Sequence, residues 1–193
     1  MGRKRVQPVT VAQLEAELKR TERKRSYRST LLSTVSTLVI VAAVATLISM
    51  LWLPVLQVVG ESMTPSLDEG EIVVSPKGMA FEKGDIIAFY FNNKILVKRV
   101  IANAGEWVNI DQEGNVYVND IFLEEPYIAE KAFGDCNIEL PYQVPEGKIF
   151  VMGDHRATSA DSRNTAVGCV AEEQVVGKVF LRLWPLDKIG FVG

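Results

Sequence analysis

The chain has 193 residues, of which 48% are hydrophobic, and a formal net charge of −3 at pH 7. That length allows one compact domain of ordinary size together with an additional apolar segment. The single histidine excludes zinc sites built from several histidines, and the two cysteines lack the close spacing of zinc motifs. We therefore expect neither a metal nor another cofactor.

The first 28 residues form a basic leader with nine lysines and arginines and three glutamates. Residues 10–25 are predicted to be helical, because Thr10 begins a capping pattern and Val11, Leu14 and Leu18 recur at helical spacing. Positively charged flanks of membrane segments stay in the cytoplasm, so we expect the leader to lie inside the cell.

A long apolar segment follows, with no charged residue between Arg28 and Glu61. A helix of about 20 apolar residues crosses a hydrocarbon core about 30 Å thick. Cleavable signal peptides have shorter apolar regions, of about 7 to 15 residues, and a buried helix of a soluble protein would show a polar stripe. The segment predicts an uncleaved signal anchor in the lipid bilayer at residues 29–56, with residues 57–193 on the opposite side.

Residues 57–193 are acidic once the basic leader is set apart, which argues against a nucleic-acid partner. Cys136 and Cys169 lie in this translocated part, where a disulfide is chemically permitted. A disulfide and two isolated buried thiols are both compatible with the sequence. We assign neither cysteine a catalytic role.

In this part, short runs rich in Val, Ile, Phe and Tyr alternate with Gly, Pro, Asn and Asp, which is typical of strands joined by turns. Asn92-Asn93 and Glu113-Gly114 are predicted hairpin turns. Many short strands without intervening amphipathic helices predict a mainly β domain, an antiparallel β-sandwich or barrel-like fold. The predicted strands are residues 71–75, 85–91, 95–102, 107–111, 115–118, 148–152 and 175–183.

Two residues in this domain could form a nucleophile and its base. Ser62 lies in a loop just after the apolar segment, where serine is most often a turn or capping residue. Lys98 lies on a predicted strand whose two faces are both largely apolar, so packing would desolvate its ammonium and lower its pKa toward neutrality. Such an amine can activate a serine without a histidine. A lysine whose stem covers apolar surface while its head stays in water is the commoner alternative.

A dense polar run, residues 153–163, follows the strand predicted at 148–152. It is either a solvated loop or a supporting part of the site. In the second case the Ser159 hydroxyl could orient an uncharged lysine amine, and Asp161 and Arg163 could pair. His155 belongs to the same run, so a Ser-His-Asp triad remains an alternative.

Together these segments resemble the type I signal peptidases, the bacterial leader peptidase family that uses a Ser-Lys dyad. The resemblance covers the chain from about Leu31 to its end, and the motifs occur in family order. They are residues 62–67, 84–89, 98–101, 153–163 and 183–191.

The resemblance implies a membrane-bound serine endopeptidase that removes N-terminal signal peptides from exported preproteins through an acyl-enzyme, cutting after small residues in an Ala-x-Ala pattern. Ser62 would attack the scissile carbonyl, Lys98 would be the general base and Ser159 would hold the lysine. Asp161 and Arg163 would form a supporting ion pair.

The same resemblance implies that the substrate adds to a sheet edge as an extended strand. Four apolar residues would make its side-chain pockets shallow: Val58, Met63, Leu67 and Val97. The backbone N–H of Ser62 would hold the oxyanion, and Gly60 stands where some members supply a second, hydroxyl donor. The chain also has His155 where the family usually has asparagine, so a lysine mechanism makes His155 dispensable.

Two other classes share part of this pattern. A self-cleaving repressor-type protease uses the same Ser-Lys pair, but it should carry a DNA-binding helical module instead of a membrane span. A non-enzymatic anchored β-domain would need no catalytic pair, whereas Ser62, Lys98 and Ser159 are all present.

Overall fold

The computed structural model describes residues 11–192. Helix α1, Val11–Trp52, unites the predicted leader helix with most of the apolar segment, while the predicted cap at Thr10 lies outside the described residues. Leu53 precedes Pro54, a position that disfavours helical backbone, and the helix ends there. Within the described residues, Thr30–Ser49 is the stretch long and apolar enough to cross a membrane.

Three threonines in this stretch bond back to the helix itself. The hydroxyls of Thr34, Thr37 and Thr46 donate to the carbonyls four residues earlier, at 2.8 to 2.9 Å. Such bonds satisfy the hydroxyl without a partner outside the helix. Their presence is therefore compatible with a helix surrounded by hydrocarbon.

The chain divides into two compact units, Met1–Ser49 and Met50–Gly193. The second unit is mainly β, as predicted, and its strand pairs among the described residues are antiparallel. Its strands are β1 Val55–Gln57, β2 Ile72–Val74, β3 Ile86–Phe91, β4 Lys94–Ala102, β5 Trp107–Ile110, β6 Val116–Val118, β7 Ile121–Phe122, β8 Tyr142–Gln143, β9 Lys148–Met152, β10 Val170–Ala171, β11 Val175–Lys178, β12 Leu181–Trp184 and β13 Gly190–Phe191. Short 3-10 turns occupy Glu172–Gln174 and Leu186–Lys188.

Three sheets result, in the orders β1-β2-β12-β13, β10-β9-β4-β3-β11 and β7-β6-β5-β8. Side chains of the long strand β4 pack in or against the hydrophobic cores formed by these sheets. Ile101 packs in a core between the second and third sheets, Val100 in a core on the second sheet, and Val97 against a core that includes residues of the first sheet. Because β4 contacts every core, a side chain on it can reach loops from several parts of the domain.

The predicted β3–β4 turn is confirmed, with Asn92 and Asn93 at φ 42° and 62°. The strand predicted at residues 175–183 was wrong as one element, because it divides into β11 and β12, which belong to different sheets. At Gly177 a Cβ would collide with the Pro76 carbonyl, so the chain approaches another backbone closely there. Val55 and Leu56, the last structured residues of the segment predicted as the anchor, belong to strand β1.

Candidate active site

The structure brings Ser62 and Lys98 into direct contact. The Lys98 Nζ lies 2.6 Å from the Ser62 Oγ, although the two residues are 36 positions apart in the chain. The Lys98 side chain comes from β4, opposite Ile87 of β3, and Ser62 lies in the turn after β1. A nucleophile and a base within hydrogen-bond reach are the first requirement of covalent hydrolysis.

Lys98 is almost completely buried, with 3% of its surface exposed. Burial lowers the pKa of Lys98 from 10.5 to about 8, because water no longer stabilises the ammonium form. The carboxylates of Asp161 and Asp154 raise that pKa in part, whereas the charge of Arg163 lowers it further. A substantial fraction of the amine is therefore uncharged at mildly alkaline pH.

The nucleophile segment is held through its backbone. The N–H of Thr64 donates to the carbonyl of Glu61, and the carbonyl of Ser62 accepts from the backbone N–H of His155 at 3.1 Å. The His155 side chain contacts Thr158 instead, with Nδ1 3.0 Å from the hydroxyl. Among the described residues, the hydrogen-bond partner of the Ser62 hydroxyl is thus Lys98 and not His155.

Gly153 brings Ser159 against the nucleophile segment. A Cβ at Gly153 would collide with both the Ser159 Oγ and the Ser62 carbonyl, so only glycine fits there. The buried Ser159 hydroxyl helps to lower the pKa of the Asp161 carboxyl, yet it forms no hydrogen bond of normal geometry with any described residue. Its predicted contact with Lys98 is not formed in this structure, and its role as the lysine-orienting group stays a prediction.

Asp161 and Arg163 form a fully buried ion pair. Arg163 donates to both carboxylate oxygens at 2.9 Å. Burial alone would raise the pKa of Asp161, but the hydrogen bonds and the charge of Arg163 hold it below its usual value. Asp161 also accepts from the N–H of Gly153 at 3.0 Å, and Arg163 donates to the Phe133 carbonyl at 2.9 Å. The pair thereby fixes the loop that carries Ser159.

A second buried ion pair joins Arg99 to Asp154, through bonds of 2.9 and 2.6 Å. This pair was not predicted, although two adjacent cations in an apolar strand were a signal that one of them would need a buried anion. Arg99 also donates to the Ser66 hydroxyl at 3.0 Å and to the Gly84 carbonyl at 2.6 Å. This one side chain therefore connects β4 to the nucleophile loop and to the loop after β9.

The four residues predicted to line the substrate pockets meet in one apolar cluster beside Ser62. Three of them are nearly inaccessible and the fourth is half-buried: Met63, Leu67 and Val58, and then Val97. Pocket formation by these side chains stays a prediction.

The position of the second oxyanion donor is occupied by Gly60, at φ 83°. Its N–H donates to the Glu69 carboxylate at 3.3 Å. The N–H of Ser62 makes no hydrogen bond with the residues that the structure describes. That donor is therefore available to a ligand at the nucleophile.

Cys136 and Cys169 are free thiols. Burial raises the pKa of both, which disfavours the reactive thiolate. The residues from 11 to 192 also contain no group of three or more His, Cys, Asp or Glu side chains arranged to hold a metal ion.

Comparison with known proteins places the chain among peptidases. Residues 31–184 match the family model described as signal peptidase, peptidase S26. Signal peptidase IB of Staphylococcus aureus is 37% identical over 149 residues, which are 67% of this chain and 76% of that protein. Thylakoidal processing peptidase 1 of Arabidopsis thaliana is 34% identical over 145 residues, which are 66% of this chain, and the match spans only 41% of the plant protein's length.

A solved structure is also similar. It is a signal peptidase I from Enterococcus faecalis, 30% identical, with a TM-score of 0.46; the match covers 52% of this chain and 97% of that one.

Proposed function

The chain belongs to the signal peptidase family of serine peptidases, peptidase S26, and from that membership we propose that it removes N-terminal signal peptides from exported preproteins with Ser62 and Lys98 as its catalytic dyad. The observation that carries the proposal is the 2.6 Å contact between the Ser62 hydroxyl and the buried Lys98 amine. Burial supplies a neutral base, and the contact gives it a proton to accept.

In the proposed reaction, the Lys98 amine takes the hydroxyl proton as the Ser62 oxygen attacks the scissile carbonyl. The Lys98 ammonium then protonates the amine of the departing mature chain, and the signal peptide stays attached to Ser62 as an ester. A water molecule then attacks the ester as it gives a proton to Lys98, and Lys98 passes that proton to the departing Ser62 oxygen, which releases the signal peptide and restores the serine.

The free N–H of Ser62 supports the proposed oxyanion site. A backbone donor can stabilise the negative charge that develops on the carbonyl oxygen during attack. Gly60 cannot add a side-chain donor. The donor that this proposal assigns to the oxyanion is accordingly the backbone N–H of Ser62.

Two free strand edges support binding of the substrate as an added strand. Residues 94–98 of β4 pair with β3 on one side, and pairing with β9 begins only at Arg99. On the first sheet, β1 pairs with β2 alone. Val58, just after β1, and Val97 of β4 belong to the same apolar cluster, so the two free edges approach each other beside the dyad.

This arrangement favours the Ala-x-Ala pattern. In an extended peptide, residues two positions apart point to the same face. Alternate side chains would therefore enter the cluster formed by Val58, Met63, Leu67 and Val97. Since that cluster is already closely filled, only small side chains fit without displacing it.

We also propose the membrane arrangement implied by the sequence. Within the predicted anchor, residues 29–56, the helical part that ends at Trp52 lies in the lipid bilayer, and its last two residues begin strand β1. Residues 1–28 stay in the cytoplasm, and residues 57–193 form the extracytoplasmic catalytic domain. The apolar stretch Thr30–Ser49 and the basic leader support this single-pass topology. The enzyme would then meet its preproteins at the face to which they are exported.

The test uses the purified full chain in detergent with one secretory precursor. We expect a single cut after Ala-x-Ala, identified by the mass of the product, and no cut by Ser62→Ala. A precursor with bulky residues at both alanine positions should stay intact. Processing by the Ser62→Ala variant would refute the dyad, and processing of the bulky precursor would refute the shallow pockets alone.

A further inference from the structure

Outside the dyad, two residues of the segment between β7 and β8 reach toward the active site. Glu125 is buried, and both of its carboxylate oxygens accept from the guanidinium of Arg156, one of them at 2.8 Å. The Tyr127 hydroxyl donates to the same carboxylate at 2.9 Å. The Tyr127 ring also stacks on Arg99, whose guanidinium carbon lies 3.9 Å from the ring centroid.

Arg156 transmits this contact to the loop after β9. Its Nε donates to the Gly153 carbonyl at 3.1 Å, and Gly153 is the residue on which Ser159 and the Ser62 carbonyl pack. Glu125 is the carboxylate that pairs with Arg156 among the described residues. The position of Gly153 thus depends on an ion pair whose anion, Glu125, lies in the segment that connects β7 and β8 of the third sheet.

Arg99 transmits the second contact to the other side of the site. Arg99 follows Lys98 directly in β4, and it donates hydrogen bonds to Asp154 and to the Ser66 hydroxyl of the nucleophile loop. The ring of Tyr127 lies against a face of the guanidinium, whereas these hydrogen bonds use the N–H groups in its plane. Stacking on an aromatic face restrains a guanidinium without consuming its donors.

We propose that Glu125 and Tyr127 are positioning residues for peptide cleavage: they clamp Arg156 and Arg99 and so hold the Gly153 loop and the nucleophile loop at the distance that the Ser62–Lys98 contact requires. This inference rests on the proposed dyad. Neither residue touches the reacting atoms. Their effect on the rate comes from geometry, since a displacement of about 1 Å at the reacting groups can lower a rate about a hundredfold.

The experiment compares Tyr127→Leu, Tyr127→Phe and Glu125→Gln with the unchanged chain, in detergent and on the same precursor. Tyr117→Phe is the matched control, because Tyr117 of β6 also donates to a carboxylate, that of Asp111, away from the site. For each variant, kcat, KM, the pH dependence of kcat/KM and the thermal midpoint are measured. All rates are taken at a temperature where that variant is folded.

We expect Tyr127→Leu to lower kcat about tenfold with KM within about twofold, because substrate contacts are retained while the dyad is displaced. Tyr127→Phe keeps the stacked ring and should lose at most about threefold in kcat, a rescue by the conservative side chain. Glu125→Gln should lose more than Tyr127→Leu, because it leaves the buried Arg156 unpaired. The control should match the unchanged chain.

Tyr127→Leu should also move the pH dependence. The charged groups acting on Lys98 are Asp161, Asp154 and Arg163. When Arg99 is released from Tyr127, Asp154 loses part of its compensation, so the rise of kcat/KM with pH should shift upward. Tyr127→Phe and Tyr117→Phe should leave it in place.

A folded Tyr127→Leu variant with the kcat and pH profile of the unchanged chain would overturn the inference, even if its thermal midpoint fell. If Glu125→Gln does not fold, Tyr127→Leu alone decides. If the unchanged chain does not cut the precursor, the proposed function itself fails and the inference falls with it. Cleavage by the unchanged chain and by every variant alike would refute the inference and leave the dyad intact.

Discussion

Two adjacent cations, Lys98 and Arg99, lie on opposite faces of β4 and have different environments. On one face Arg99 is bound by a carboxylate, a hydroxyl, a carbonyl and an aromatic ring. On the other face Lys98 is equally buried, but its amine has one hydroxyl as its hydrogen-bond partner among the described residues. A buried charge must be paired or lost. The strand therefore stabilises the charge of Arg99 by pairing, whereas burial lowers the pKa of Lys98 to about 8, so that a fraction of its amine is neutral and can act as a base.

The largest effect on cleavage is expected when the Lys98 amine is removed. Lys98→Met should lower kcat/KM at least about a thousandfold, because no other base reaches Ser62. Its stability should not fall, since the cost of burying an ammonium disappears with it. Precursor cleavage and urea unfolding measure the two effects. Lys148→Met, at the exposed start of β9, is the control and should cut normally.

Disruption of the Arg99–Asp154 ion pair should lower the stability of the domain. Asp154→Asn leaves the buried Arg99 without its anion and should lower the free energy of unfolding by about 3 to 5 kcal/mol. Asp68→Asn breaks the exposed pair between Asp68 and Lys188 and should cost far less, because solvent screens exposed charges. Urea unfolding followed by tryptophan fluorescence compares them. Equal losses in the two variants would mean that burial does not distinguish these pairs.

The pH dependence of kcat/KM reports the protonation of Lys98. With the pKa of Lys98 near 8, about 1% of the amine is neutral at pH 6 and about 90% at pH 9. Since the neutral form is the base, kcat/KM should rise by somewhat less than a hundredfold between these values. A profile that is already level above about pH 7.5 would instead indicate a base of lower pKa than Lys98, as an ordinary imidazole is.

The smallest effect is expected at His155. His155→Asn retains the backbone N–H that binds the Ser62 carbonyl and removes a ring that contacts Thr158. Activity should therefore stay within about twofold of the unchanged chain. A loss of tenfold or more, measured on the same precursor, would restore the triad as the better mechanism.

Much of the site could be predicted because its parts have local signals. The apolar neighbours of Lys98 along β4 predicted a partly desolvated amine beside the commoner alternative of a solvated one, and the polar run of residues 153–163 predicted either supporting groups or a solvated loop. The partnership of Glu125 with Arg156 could not be predicted in this way, since 31 positions separate them and either residue alone is typical of a solvated surface.

Prediction of the strands also depended on how much of the signal is local in the sequence. The longer strands β3, β4 and β9 were predicted close to their observed bounds, because each is a run of apolar and β-branched residues. Strands of two or three residues, such as β7 and β10, carry too few side chains to show a period. Their existence depends on pairing with a neighbour, which is a property of the tertiary structure.

The unpaired edge at residues 94–98 has a consequence for which chains can dock there. A strand edge offers backbone donors and acceptors that are the same for every sequence. Proline is the exception, because it lacks the N–H that this edge would accept and its ring occupies the space of that bond. Every second position of a docked segment therefore excludes proline, whatever the volume of the neighbouring apolar cluster permits.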